Sequence, residues 1–300
     1  MKKQVYIAIG LLSASIIGFQ LALMQILSIS QWSHFAYMVI SVALLGFGAS
    51  GTALVFIKDR LVKNIDRSLP ALLFLTATCM CLIMVFSGQV FGGFDSYLLF
   101  LERSHFYGLA VSYLCLFVPF FFGGMAIGLT YSHYVSHIGN LYFSDLFGSG
   151  IGGLLMLLLF WYFAPSVLPI LIALLPLTAG LLLVKRDQIT RHLFFLLPAI
   201  LVFLYGITHP AKIPMSQYKS LSRALLLPDA QILDEKFSPY GQLELLRASG
   251  MRYAPGLSLN FTGNIPVQEA IYNNGNWFGP LIDASAKDSI HFLDYATNAL

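Results

Sequence analysis

Charge is what this sequence has least of. Lys, Arg, Asp and Glu make up only 10% of its 300 residues, against about 25% in an ordinary soluble domain. That shortage excludes a disordered chain, a coiled coil and a nucleic-acid binder built on a basic face, each of which needs dense charge. Cysteine is scarce too: there are 3, Cys79, Cys81 and Cys115, all within apolar runs. A disulfide-stapled secreted domain is therefore excluded. Cys79-Met-Cys81 is not a CxxC, so these side chains read as small apolar fillers of packed helix. What fills the sequence instead is apolar, 57% of residues, with a mean hydropathy of +0.76. The chain reads as a polytopic membrane protein.

The few charges are unevenly spread. Residues 1–207 carry 10 Lys/Arg and 6 Asp/Glu, whereas 208–300, less than half as long, carry 7 and 8. This predicts a transmembrane helical bundle over 1–207 and a soluble region over 208–300.

A helix needs about 20 apolar residues to cross the hydrocarbon core, at about 1.5 Å per residue. Seven stretches reach or approach that length: 5–27, 35–57, 70–91, 107–130, 146–164, 167–184 and 193–207. The first is too long for a signal-peptide core, has no small-residue cleavage site after it, and reads as a retained span. With the N-terminus inside, inner loops hold nine basic residues, Lys2, Lys3, Lys58, Arg60, Lys63, Arg67, Lys185, Arg186 and Arg191, and outer loops hold one, Arg103. The N-terminus is expected in the cytoplasm. The last stretch has 15 residues around Pro198. It is marginal for crossing and is predicted to turn back, giving six crossings and a cytoplasmic tail.

Gly46-Phe-Gly48-Ala-Ser-Gly51 satisfies the dinucleotide pattern GxGxxG but lies mid-span, where every backbone N–H must bond within its helix. Gly46 therefore reads as a helix-packing residue, as do the spaced pairs Gly124 with Gly128 and Gly148 with Gly152. Asp145 begins an Asp-Leu-Phe-Gly-Ser-Gly run at the head of the fifth span. Either it sits at the interface as a helix N-terminal residue, or it points into the bundle and holds a cation or proton. His133 and His137 share a helical face, yet lack the Glu of HExxH and a third ligand, so no metal is expected.

In the tail, Tyr218, Leu221, Ala224 and Leu225 have helical spacing. Strands are predicted over 231–236, 242–247, 252–260 and 267–272, with turns at Ser238-Pro-Tyr-Gly241 and Thr262-Gly-Asn264. The expected fold is a helical bundle of six or seven spans followed by a small antiparallel β domain. Ser238-Pro-Tyr-Gly-Gln242, Tyr253-Ala-Pro-Gly-Leu-Ser-Leu-Asn260, Gly263 and Gln268 resemble the N-terminal β-hairpin region of spermidine synthases. The layout, with Tyr142-Phe-Ser-Asp-Leu-Phe-Gly148 and the glycine-rich second span, resembles bacterial inner-membrane proteins that fuse a polytopic domain to a spermidine-synthase-like domain.

The resemblance implies aminopropyl or related alkyl transfer from an S-adenosylmethionine-type donor. It also implies that Gln242 and Gln268 neighbour a polyamine; read from the residues alone, both are ordinary polar strand positions. No glycine-rich strand–turn–helix occurs in 208–300, and Asn276-Trp-Phe-Gly-Pro-Leu-Ile-Asp283 replaces the acidic stretch that follows the family's hairpin. Neither Asp283 nor Asp294 can be assigned catalysis, and the catalytic residues are unknown. No cofactor is expected within this chain, and the donor enters only if a longer chain exists, as the hand-over point at Leu300 implies. The first functional reading is thus the membrane-anchored N-terminal portion of a spermidine-synthase-like protein. The alternative is a transporter-like bundle for a cation or polyamine, using Asp145 with Glu102 and Asp95 at the outer mouth, beside an accessory β domain. The expected partners are the lipid bilayer and, through the hairpin, a second copy of the chain, with no nucleic acid.

Overall fold

The computed structural model describes residues 3–185, 189–282 and 290–296. Lys2, Arg186 and Asp283 lie outside the described residues. The chain divides into two compact units, Met1–Pro214 and Met215–Leu300.

The first unit is helical: α1 Lys3–Ser30, α2 Ser33–Lys63, α3 Ile65–Val85, α4 Ser87–Gly92, α5 Arg103–His133, α6 Ile138–Leu159, α7 Leu168–Leu183 and α8 Ile189–Thr208. Among the described residues, six helices are long and apolar enough to cross a membrane, namely α1, α2, α3, α5, the segment containing α6, and α8. That fits a multi-pass membrane protein. The outer surface agrees: Leu44, Phe56, Leu154 and Phe194 all stand exposed on helix faces, where only lipid makes exposure of such side chains favourable. The innermost helix is α1, buried along most of its length and packed against α2, α6 and α7.

The helices run between two ends. At one, a cleft gathers Gln4 of α1, Asp66 of α3, Tyr134 after α5, and Leu183 and Lys185 at the end of α7. Lys185 Nζ donates to Asp66 Oδ2 at 2.8 Å there. At the other, Gln31 after α1 donates to Phe91 O (3.2 Å) and Phe94 O (2.9 Å), and the Asp95 N–H donates to His105 Nδ1 of α5 at 3.0 Å.

The turn predicted at Pro198 is absent. α8 is one continuous helix of 20 residues with Pro198 inside it. Proline removes a single donor, and α3, α5 and α7 run through Pro70, Pro119 and Pro176 in the same way. After α8 the chain returns to the end of α3, where Ser87 Oγ donates to Lys212 O at 3.5 Å. The helix that falls short of a span's length is instead α7, whose 16 residues extend about 24 Å.

The second unit carries a short helix, α9 Ser220–Ala224, and strands β1 Gln231–Ser238, β2 Gly241–Arg247, β3 Glu269–Asn273 and β4 Asn276–Leu281. They form one antiparallel sheet in the order β1-β2-β3-β4. Leu221 and Ala224 of α9 pack on Leu246, Ala270 and Tyr272 from one face. The expected four-stranded antiparallel domain is therefore present, with two differences. Residues 252–260 are not a strand, because Pro255 and Gly256, at φ 65°, turn the chain. The fourth strand is 276–281, reached through Asn274 (φ 51°) and Gly275 (φ 72°), a two-residue hairpin turn whose positive φ values favour Asn-Gly. Pro280 is tolerated because β4 is an edge strand, with its outer donors unneeded.

Candidate functional site

In the helical unit, the five glycines singled out by spacing fall into two contacts. A Cβ added to Gly46 would lie 2.7 Å from Phe120 Cβ, one on Gly124 would lie 2.6 Å from Ser50 Oγ, and one on Gly128 would lie 2.7 Å from Leu54 Cδ1. These three close α2 onto α5. Gly148 and Gly152 do something tighter: their added Cβ atoms would stand 2.6 Å from Gly10 Cα and 2.5 Å from Ala14 Cα. There α6 and α1 touch backbone to backbone. Gly48 and Gly51 have nothing within 4 Å, so the GxGxxG run is not one structural unit.

Asp145 lies in this α1–α6 seam. α6 begins at Ile138, two turns earlier, so Asp145 is not at the helix head and the dipole account does not apply. Its carboxylate accepts from Tyr131 of α5 (OH to Oδ2, 2.7 Å) and faces Ser13 of α1 (Oγ to Oδ1, 2.5 Å). Ser13 also sits 2.9 Å from Ile9 O, so its one proton has two acceptors. Three helices are thereby tied through one intramembrane carboxylate. Asp95 and Glu102 are not part of it. They flank His105, with Glu102 Oε2 3.6 Å from His105 Nε2, at the start of α5. Tyr131 is near the other end of that helix, about 42 Å away at 1.5 Å per residue. Among the described residues, no three His, Cys, Asp or Glu side chains gather as a metal needs, and His133 stacks edge-on against Tyr134.

In the sheet unit, ionisable side chains gather near the β1–β2 turn. Glu235 and Glu244 stand opposite each other on adjacent strands. The Gln242 amide bridges them, Nε2 donating to Glu235 Oε1 and, at 2.9 Å, to Glu244 Oε1. Glu244 is buried on the α9 side, where the Gly275 backbone N–H and the Lys219 charge act on its carboxylate. Burial pushes its carboxyl up to about 7, helped by the Glu235 charge. Lys219, fully buried, donates from Nζ to Asn274 O at 2.5 Å, and burial brings its amine down to about 8.

Two positions are organised by this end. Gln242 exchanges backbone bonds with Asn274, its N–H donating to Asn274 Oδ1 (2.9 Å) and its C=O accepting from the Asn274 N–H (2.8 Å). Gly241, at φ 147°, has no space for a side chain, since a Cβ would collide with Asn273 Oδ1 and crowd Asn274 Oδ1 at 3.0 Å. Gln268 lies elsewhere, and the two glutamines do not share a site. It is buried, and its amide clasps the backbone of Tyr253, accepting from the N–H and donating to the C=O, each at 3.1 Å. Gln268 thereby replaces the ladder that residues 252–260 do not form. A cleft of about 450 Å³ lies at the opposite end of the β1–β2 ladder, beside Gln231 and Arg247.

Sequence reasoning passed over Lys219, Glu244, Tyr131, Ser13 and Gly10. Only the sheet residues had a legible signal: the Asn274-Gly275 dipeptide predicts a hairpin turn, and that turn supplies the carbonyl Lys219 bonds. Comparison with family models, curated proteins and solved structures returns no match for this chain.

Proposed function

We propose that the chain is the membrane-anchored N-terminal portion of a spermidine-synthase-like protein, and that its sheet unit recognises an amine. One observation carries this reading: Gln242 holds two carboxylates together on adjacent strands, Glu235 exposed and Glu244 buried beside Lys219. Paired carboxylates of that kind attract an alkylammonium group, which can enter at Glu235 and be drawn toward Glu244. On this reading the donor-binding and transfer chemistry would belong to a nucleotide-binding part that residues 1–300 do not contain. Calorimetric titration of the purified protein with putrescine and spermidine tests amine recognition. Saturable heats that vanish in Glu235→Gln/Glu244→Gln support it, and equal heats in that variant refute it. Transfer itself is read on the full natural gene product, as aminopropyl-labelled putrescine.

A second reading is favoured by a separate observation, the Asp145 carboxylate tied to Ser13 and Tyr131 between three helices. Intramembrane carboxylates are costly and mark ion or proton pathways. On this reading the bundle moves a cation or polyamine, and labelled spermidine enters proteoliposomes in a manner that Asp145→Asn abolishes. The two readings also differ in topology: transfer from a cytoplasmic donor needs an even number of crossings, which the six long apolar helices would give, whereas a seventh crossing by α7 would suit amine recognition or transport.

A further inference from the structure

Where α2 hands over to α3, the chain brings three fixed cations to one cleft of about 390 Å³: Lys63 and Arg67, and Arg191 from the first turn of α8. The inner-loop bias brings basic residues to this end, and here three of them line a single cleft. The one carboxylate in the lining, Asp66, takes Lys185 from outside it as one partner at 2.8 Å, so the lining holds three cations to one carboxylate. The lining also includes His192, 1% exposed, whose Nδ1 has no hydrogen-bond partner among the described residues. An oxyanion in the cleft would accept from the Nδ1–H tautomer of His192 and from the guanidinium groups together.

We propose that this cleft binds the phosphate headgroup of an anionic phospholipid. Lipid rather than free phosphate is indicated by the neighbours of the lining residues on α8. Ile189 and Leu193 are each 42% exposed and Phe194 is 79% exposed, immediately beside Arg191 and His192. Apolar side chains bare to one side and cations gathered on the other mark a headgroup level, with acyl chains running along α8. A volume of about 390 Å³ accommodates a phosphoglycerol headgroup but not whole acyl chains, which remain in the bilayer.

The test uses the whole chain in a zwitterionic detergent, with thermal unfolding followed against short-chain phosphatidylglycerol, short-chain phosphatidylcholine and inorganic phosphate. The expected result is a saturable rise in Tm with phosphatidylglycerol alone. Arg67→Gln/Arg191→Gln should shift half-saturation upward about thirtyfold, as loss of two interfacial cations implies, while Arg60→Gln, outside the lining, leaves it unchanged. Equal response to the two lipids, or an unshifted double variant, overturns the proposal. Inorganic phosphate matching phosphatidylglycerol at equal concentration assigns the cleft to a free oxyanion and overturns the lipid. A second readout needs no variant: lipid retained by wild-type protein from an equimolar bilayer of the two lipids. Phosphatidylglycerol should be enriched at least about fivefold, and retention at the bilayer ratio contradicts the proposal.

Discussion

The helical unit and the sheet unit solve the same problem, holding elements together, with opposite means. In the first, α1 and α6 meet through Gly10, Ala14, Gly148 and Gly152, backbone against backbone. Hydroxyls such as Thr76 and Thr130 bond carbonyls one turn back in their own helices. In the second, polar side chains do the joining: Gln268 on Tyr253, Asn274 on Gln242, Lys219 on Asn274. The difference follows from the solvent. Lipid gives apolar helices no reason to associate, so close contact and dispersion must supply it. Water drives the small core of Leu246, Ala270 and Tyr272 together, and buried polar groups then complete it at an electrostatic cost. One consequence is that the bundle is sensitive to volume and the sheet to pH.

The largest expected effect is therefore steric. Gly148→Leu should destabilise the bundle by more than about 3 kcal/mol in detergent melting, because the obstacle is Gly10 backbone, which cannot rotate away. Gly148→Ala should already cost about 2 kcal/mol. Gly51→Ala, with open space around it, should be neutral. Equal melting of Gly148→Leu and wild type would mean that α1 and α6 do not meet here.

Next comes Gln268→Leu, which leaves the N–H and C=O of Tyr253 without their partners. A loss of about 2 kcal/mol is expected in the sheet unit and none in the bundle. Urea unfolding in a Trp32→Phe/Trp161→Phe background reports the sheet alone, through Trp277 stacked near Tyr253. A change in the helical transition instead would erase the distinction between the two units.

The pH effect is of similar or smaller size. Glu244 lies at about 7 folded against an ordinary 4.5, so it favours the fold below pH 4.5 and this contribution is lost as pH rises through 7. Lys219 lies at about 8 against 10.5, so its penalty is present below pH 8 and relieved as pH rises toward 10.5. Together they predict a stability minimum of the sheet between pH 7 and 8. The fall between pH 5 and pH 7 should be about 1–2 kcal/mol. Glu244→Gln should abolish that fall; its persistence would assign the titration elsewhere. Smallest of all, Asp145→Asn should alter bundle stability by less than about 1 kcal/mol, since an amide still accepts from Tyr131. Loss of folding would make the Asp145 tie the bundle's main support.

How far the sequence could be read also differs between the units. Helix positions were legible because a span is set by length and hydropathy alone, and 5–27 falls inside α1 and 107–130 inside α5. Partners were not: nothing in the spacing of Gly148 and Gly152 names Gly10 and Ala14, which lie more than a hundred residues away. Pro198 misled because a proline breaks a helix in water but costs one donor in a packed bundle. In the sheet, Ser238-Pro-Tyr-Gly241 turned as its residues require. Residues 252–260 had a plausible alternation of Leu257 and Leu259, yet Pro255-Gly256 outweighed it. Strand β4 was hidden by Gly279 and Pro280, which only an edge position tolerates. The carboxylate pair was invisible until register set Glu235 opposite Glu244.

The contrast between the units rests on their facing different solvents, and the side on which the sheet unit lies turns on whether α7 crosses with the six long helices. Paired fusions measure this directly, with alkaline phosphatase or a fluorescent protein that matures only in the cytoplasm attached at Leu300, and the same fluorescent protein at the N-terminus. A crossing by α7 in addition to the six long helices predicts fluorescence from the N-terminal fusion, and phosphatase activity without fluorescence from the fusions at Leu300. Fluorescence from both ends, with no phosphatase activity, would contradict the account.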